Sequence, residues 1–211
     1  MKAILIGSLG ILAETNVLRR MAFRRASRDH GLSLQPSCPT PAERLARSIP
    51  AFAAGAADRA VPLDRLLTAR DHHFGRALAA SPLRMRHGLS DFLDRIAHSR
   101  MRLGLVATTP TAWMISVFCG LDLPPETFDT IVTAESVVGD KPNPDCYHLA
   151  AAMLATAPEN CLALEDNPMG IAAARAAGMA VADLSAPDGS ATDPFATLLA
   201  RNSRSDIAAR S

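Results

Sequence analysis

The sequence predicts an α/β protein, a doubly wound parallel sheet with an inserted helical domain. Three observations carry this. Ala3-Ile4-Leu5-Ile6 is a short, wholly apolar run ended by Gly7, as in a central parallel strand buried on both faces. A long stretch of helical periodicity follows, with no convincing strand in it. Beyond about residue 84, strands and helices alternate, and that alternation implies helices on both faces of a parallel sheet. The expected division is residues 1–15 with 84–211 as the α/β core and residues 16–83 as the helical insert.

Taken in order, Gly7 to Thr15 reads as a tight turn and loop. From Asn16, Leu18, Met21, Ala22 and Phe23 recur at helical spacing, and Ala51 to Ala57 and Leu63 to Ala80 continue with good helix formers. Gly31 to Glu43, with Pro36, Pro39 and Pro41, is a loop within the insert. Helices are then expected at 91–100, 112–118, 145–154 and 169–177, and strands at 103–107, 129–133, 161–164 and 181–184. The polar tail from about Asn202 is expected to fray. In such sheets ligands sit outside the carboxyl ends of the strands.

The bulk properties exclude several classes of function. With 48% hydrophobic and 20% charged residues among 211, the chain belongs with globular proteins rather than disordered or fibrous ones. A formal net charge of +1 argues against nucleic-acid binding through bulk basicity. Arg19, Arg20, Arg24 and Arg25 fall at helical spacing and read as a solvated face. The four cysteines, Cys38, Cys119, Cys146 and Cys161, form no CxxC pair and no metal-ligand rhythm, which suits incidental thiols in a reducing compartment. Lys2 followed by so short an apolar run makes neither a signal-peptide core nor a membrane span. A cytoplasmic protein with no nucleic-acid or membrane partner is expected.

The chemistry concentrates at the ends of the strands. Gly139-Asp140-Lys141-Pro142-Asn143-Pro144-Asp145 places a lysine in a proline-fixed loop before a helix. Ala163-Leu164-Glu165-Asp166-Asn167-Pro168-Met169-Gly170 places adjacent carboxylates at a strand-to-helix turn, followed by the small residues Ala172, Ala173 and Ala174. Two such carboxylates either complement a helix dipole or hold a cation that relieves their repulsion. Thr108 and Thr109 follow the strand at 103–107 and serve either as hydroxyl donors to a ligand or as a helix cap.

In this order, these segments resemble the haloacid dehalogenase superfamily, in particular its capped phosphatases and phosphomutases of the phosphoglycolate phosphatase and β-phosphoglucomutase kind. The resemblance spans nearly the whole chain and makes the insert a helical cap. It implies that Lys141 neutralises a substrate phosphate, that Thr108 or Thr109 hydrogen-bonds the phosphoryl group, and that Asp166, with Glu165 directly or through water, binds magnesium. Arg19 and Arg47 in the cap stand near positions that contact substrate, although Ala42-Glu43 replaces the glycines found near the second of these in relatives.

At the first strand the pattern departs from the family. Where relatives carry an aspartate nucleophile and, two residues on, an acid–base aspartate, this chain has Gly7 and Leu9, while Gly10, Ile11 and Leu12 still fit. Gly7 cannot form an aspartyl-phosphate or ligate a metal through a side chain, and Leu9 cannot move a proton. The backbone carbonyl of Leu9 leaves a weakened magnesium site with Asp166 and Glu165. With two carboxylates gone, an anion meets less repulsion beside Lys141, and Gly7 leaves space at the backbone. Ser8 is expected to point away from the direction of position 7, and no histidine is placed by sequence to activate it.

The expectation is a protein that binds a small phosphorylated ligand or an anion without aspartyl-phosphate catalysis. Two alternatives stand beside it. One is a working magnesium-dependent phosphatase of non-standard mechanism, and the other is a module that binds a protein partner.

Overall fold

A computed structural model describes residues 1–31, 62–185 and 195. The helix expected at 51–57, the loop after Gly31, Arg47, Cys38 and the tail from Asn202 lie outside the described residues. The chain divides into two compact units, residues 1–14 with 84–211, and residues 15–83.

The larger unit is built on a five-stranded parallel sheet. Its strands are β1 (Ala3–Ile6), β2 (Arg102–Val106), β3 (Thr130–Val132), β4 (Cys161–Glu165) and β5 (Ala180–Asp183), in the spatial order β3-β2-β1-β4-β5. Every residue of β1 is buried, as the uninterrupted apolar run requires of a strand with neighbours on both sides and cover on both faces. The chain winds outward from β1 through β2 to β3, then returns to β1's other side for β4 and β5. The reversal leaves a crevice at the carboxyl ends of β1 and β4.

Register fixes what meets there. Ile6 pairs with Leu164 on one side and with Leu105 on the other. One residue further on, Gly7 stands between Glu165 and Val106, and the Gly7 N–H donates to the Leu164 carbonyl at 2.7 Å. In-register residues of parallel strands project to the same face, so the side chain of Glu165 is directed over Gly7.

The segment after β1, expected as a loop, holds a short helix, α1 (Leu9–Leu12). Ser8 caps it by accepting the Gly10 N–H at 3.1 Å, and Leu9, Ile11 and Leu12 are all buried. A capping serine and three apolar side chains favour one helical turn over open loop.

In the smaller unit, α2 (Asn16–Asp29) packs along α3 (Leu63–Ala80), the latter with the bounds that periodicity predicts. Back in the larger unit, α4 (Leu89–Ala97) buries Leu89, Phe92, Leu93 and Ile96, the i, i+3, i+4, i+7 stripe of an amphipathic helix. Next come α5 (Thr111–Leu121), α6 (Asp145–Met153) and α7 (Pro168–Ala176). α6 packs on β2 and β3, and α7 on β4 and β5. Ala3, Leu5, Val106, Val132, Cys146, Tyr147, Ala150, Ala163, Ala173 and Ala174 share one core. The run of alanines brings α6 and α7 close to the strands, which carries Tyr147 and Gly170 to the crevice.

Candidate functional site

Glu165 lies at the centre of the crevice and is fully buried, at 0% exposure. Its Oε1 accepts from Lys141 Nζ at 2.6 Å and from the Tyr147 hydroxyl at 2.6 Å. Its Oε2 accepts from Asn167 Nδ2 at 2.9 Å. Burial raises the Glu165 pKa, while the Lys141 charge and the hydrogen bonds from Lys141 and Tyr147 pull it back. Burial and the neighbouring Glu165 charge push the Tyr147 phenol upward, so it stays protonated and acts as a donor.

Two glycines make room for this carboxylate. A Cβ built on Gly7 would fall closer than 3.0 Å to Glu165 Oε1 and to the Tyr147 hydroxyl, and one built on Gly170 would collide with both Glu165 oxygens. Sequence reading expects Gly7 to leave space beside the backbone. The structure corrects this, because in-register pairing aims Glu165 into that space and Tyr147 closes it from α6. Gly170 likewise does more than bring its helix near the sheet.

The Lys141 side chain is only 7% exposed. Beyond Glu165, its ammonium donates to the Gly7 carbonyl and, at 2.9 Å, to the Val106 carbonyl. It also stands 4.9 Å from the Tyr147 ring centroid, within cation–π range. An ammonium has three protons, and all three are engaged.

Ser8 donates to Asp166 Oδ1 at 2.7 Å. Ser8, expected to point away from the direction of position 7, meets Asp166 rather than Glu165 because Ser8 and Asp166 each follow the Gly7–Glu165 step by one residue. Asp166 Oδ2 lies over Gly10. The Leu9 carbonyl accepts the Ala13 N–H at 3.0 Å, and the Leu9 side chain is buried.

Thr108 Oγ1 donates to Asp140 Oδ1 at 2.6 Å. Asp140 also accepts the Lys141 N–H at 2.7 Å, bracing the loop that delivers the lysine. The Thr109 hydroxyl oxygen is buried without a hydrogen-bond partner. Arg19, in the helical unit, holds its guanidinium 5.0 Å from the Phe74 ring centroid.

The resemblance implies magnesium at Asp166, Glu165 and the Leu9 carbonyl. The oxygens present do not fit that ion. Magnesium needs near-octahedral oxygen ligation, whereas both Glu165 oxygens are bonded to protein donors, the Leu9 carbonyl closes a helical turn and one Asp166 oxygen is bonded to Ser8. No group of three or more His, Cys, Asp and Glu among the described residues is arranged for a metal.

Lys141, Glu165 and the Gly7 backbone thus come together, with Asp166 beside Ser8, while Thr108 is tied to the Asp140 loop. Tyr147 and Asn167 are the participants that sequence reading missed, whereas Ser8 was weighed only as a nucleophile and its bond to Asp166 was not foreseen. Asn167 had a signal, an asparagine before proline at a helix start: its Oδ1 accepts the Gly170 N–H at 2.8 Å to cap α7 while its Nδ2 holds Glu165. Tyr147 had only its place in the first turn of α6.

The fold is that of a doubly wound α/β protein with its candidate site at the carboxyl ends of a parallel sheet. Residues 64–183, more than half of the chain, match the haloacid dehalogenase-like hydrolase family, and the chain belongs to that family. The matched span begins after β1 and so excludes Gly7 and Leu9. Protein CbbY of Rhodobacter capsulatus is 29% identical over 192 residues, covering 86% of this chain and 84% of that protein. A phosphorylated carbohydrates phosphatase of Thermotoga maritima is 29% identical over 110 residues, covering 52% of this chain and 50% of its own length. Among solved structures, a variant of CbbY from Rhodobacter sphaeroides in complex with xylulose-1,5-bisphosphate superposes with a TM-score of 0.68 at 27% identity, covering 86% of this chain and 84% of that one. The chain is related to sugar-phosphate phosphatases. No described helix is long and apolar enough to cross a membrane.

Proposed function

We propose that this chain is a catalytically silent relative of the sugar-phosphate phosphatases, unable to form an aspartyl-phosphate at the end of β1. One observation carries the reading: the volume in which a side chain at position 7 would begin is filled by the Glu165 carboxylate and the Tyr147 hydroxyl. The glutamate cannot act in place of the missing nucleophile, since it is fully buried and has three donors on it. Leu9 removes the second carboxylate, whose acid–base role is typically worth ~10²–10⁴-fold in rate.

Binding of a small phosphorylated ligand, the other part of the sequence expectation, is opposed at Lys141. A phosphate would have to take the ammonium from Glu165, leaving a buried carboxylate short of its cation. The purified chain, incubated with magnesium and a panel of small phosphate esters, is expected to release no phosphate and to carry no covalent phosphoryl group by intact-mass measurement. Steady turnover, or a trapped phosphoenzyme, refutes the proposal.

A second reading, hydrolysis of phosphate esters by another group, gains one observation. Ser8 is hydrogen-bonded to a carboxylate at 2.7 Å, the relation of a nucleophile to a base. Turnover that survives repeated purification and is abolished by Ser8→Ala would establish it.

A further inference from the structure

Lys141 touches the carboxyl ends of three strands at once. It bonds the Gly7 carbonyl just beyond β1, the Val106 carbonyl at the end of β2 and the Glu165 carboxylate at the end of β4. Its loop follows β3 and is braced to the end of β2 through Thr108 and Asp140. Tyr147 from α6 and Asn167 at the start of α7 supply the other donors to Glu165. Every side-chain polar atom of the Lys141–Glu165 pair therefore has a protein partner, and the two side chains are almost wholly buried. A recognition site leaves donors for its ligand; this one has none left at the lysine.

We infer that Lys141 and Glu165, which the family resemblance assigns to phosphate and to magnesium, form in this chain a structural ion pair that holds the strand ends together, and that the native protein binds neither Mg²⁺ nor inorganic phosphate there. The inference rests on the reading of the chain as catalytically silent and extends it from the lost nucleophile to the lost metal. The lysine charge answers the Glu165 carboxylate, and Gly7 is the substitution that lets the two stay in contact, because any Cβ at that position would displace Glu165. A buried pair of this kind is costly to break from one side and cheaper to remove whole, which makes the role measurable.

The test is thermal unfolding of the full chain in EDTA, in millimolar MgCl₂ and in millimolar inorganic phosphate. The expected melting temperature is the same in all three. A ligand bound only by the native state at ~100 times its Kd would raise it by roughly 5–10 °C, and a saturable rise of that kind with either ion overturns the inference. In the same buffer, Lys141→Met and Glu165→Met each lower the urea midpoint, while the double variant lowers it by less than the two single effects combined. Additive effects overturn the inference, and if a single variant fails to fold, the titrations on the unaltered chain decide. The two readings fail separately: turnover without a magnesium-dependent shift refutes only catalytic silence, and a magnesium-dependent shift without turnover refutes only the structural pair.

Discussion

Replacing Gly7 by alanine adds one methyl group at the point where β1, β4 and α6 converge. At an unconstrained site the change would help, since Gly7 does not lie in the left-handed region and glycine-to-alanine gains ~0.4–1 kcal/mol through the unfolded chain. Here the new Cβ would sit closer than 3.0 Å to Glu165 Oε1 and to the Tyr147 hydroxyl. Overpacking a dense interior costs ~1–3 kcal/mol. Displacing Glu165 costs one of its charge-assisted hydrogen bonds, worth ~1.5–3 kcal/mol. The net is a loss of about 2–5 kcal/mol, which at ~2–4 °C per kcal/mol for a chain of this size lowers the melting temperature by roughly 4–20 °C. Urea unfolding followed by circular dichroism reads both sign and size. A Gly7→Ala protein as stable as the parent, or more stable, would show that the carboxylate does not fill that volume, and the account of the site would fall with it.

Gly170→Ala, near the start of α7, should also destabilise by urea midpoint, although alanine ordinarily gains ~1 kcal/mol over glycine in a helix, because its Cβ meets both Glu165 oxygens. Asn167→Ala removes a cap worth ~0.5–2 kcal/mol and a donor to a buried carboxylate worth ~1.5–3 kcal/mol, so a combined loss of roughly 2–5 kcal/mol is expected by the same measurement. Glu135 accepts from the Thr111 N–H and hydroxyl, and these bonds, the backbone one foremost, lower its pKa from 4.5 to about 2. A depressed carboxylate stabilises the fold above its unfolded pKa and ceases to as pH falls through the folded one. The stability advantage of the parent over Glu135→Gln should therefore be full at neutral pH and shrink between pH 4.5 and about 2, read from unfolding curves across that range. Gly7→Asp combined with Leu9→Asp, assayed with magnesium and small phosphate esters, is expected to remain inactive while Glu165 holds the site; activity gained in the double variant would mean that the glutamate yields readily.

Most of the architecture was legible in the chain itself. Ala3 to Ile6 suits a strand covered on both faces, and the bounds of α3 matched the run Leu63 to Ala80, which lies between Pro62 and Ser81 at its two caps. Leu9 to Leu12 was missed because one helical turn is too short to show a period, and its cap, Ser8, was read for its chemistry instead. Lys141, Glu165 and Gly7 were singled out one by one from their motifs. Their mutual contact was not legible, for no motif states which residue of β4 lies beside which residue of β1.

The sequence by itself determined the fold class, the family and the presence of Gly7 and Leu9 where the resemblance leads one to expect two carboxylates, since these depend on residue type and local order. Only the tertiary structure decided what became of the gap. Pairing Ile6 with Leu164 sets Glu165 beside Gly7 and Asp166 beside Ser8, and α6 brings Tyr147 to the same point. A glycine in a sequence reads as room. In the folded chain a neighbouring strand, one register step away, had already used it.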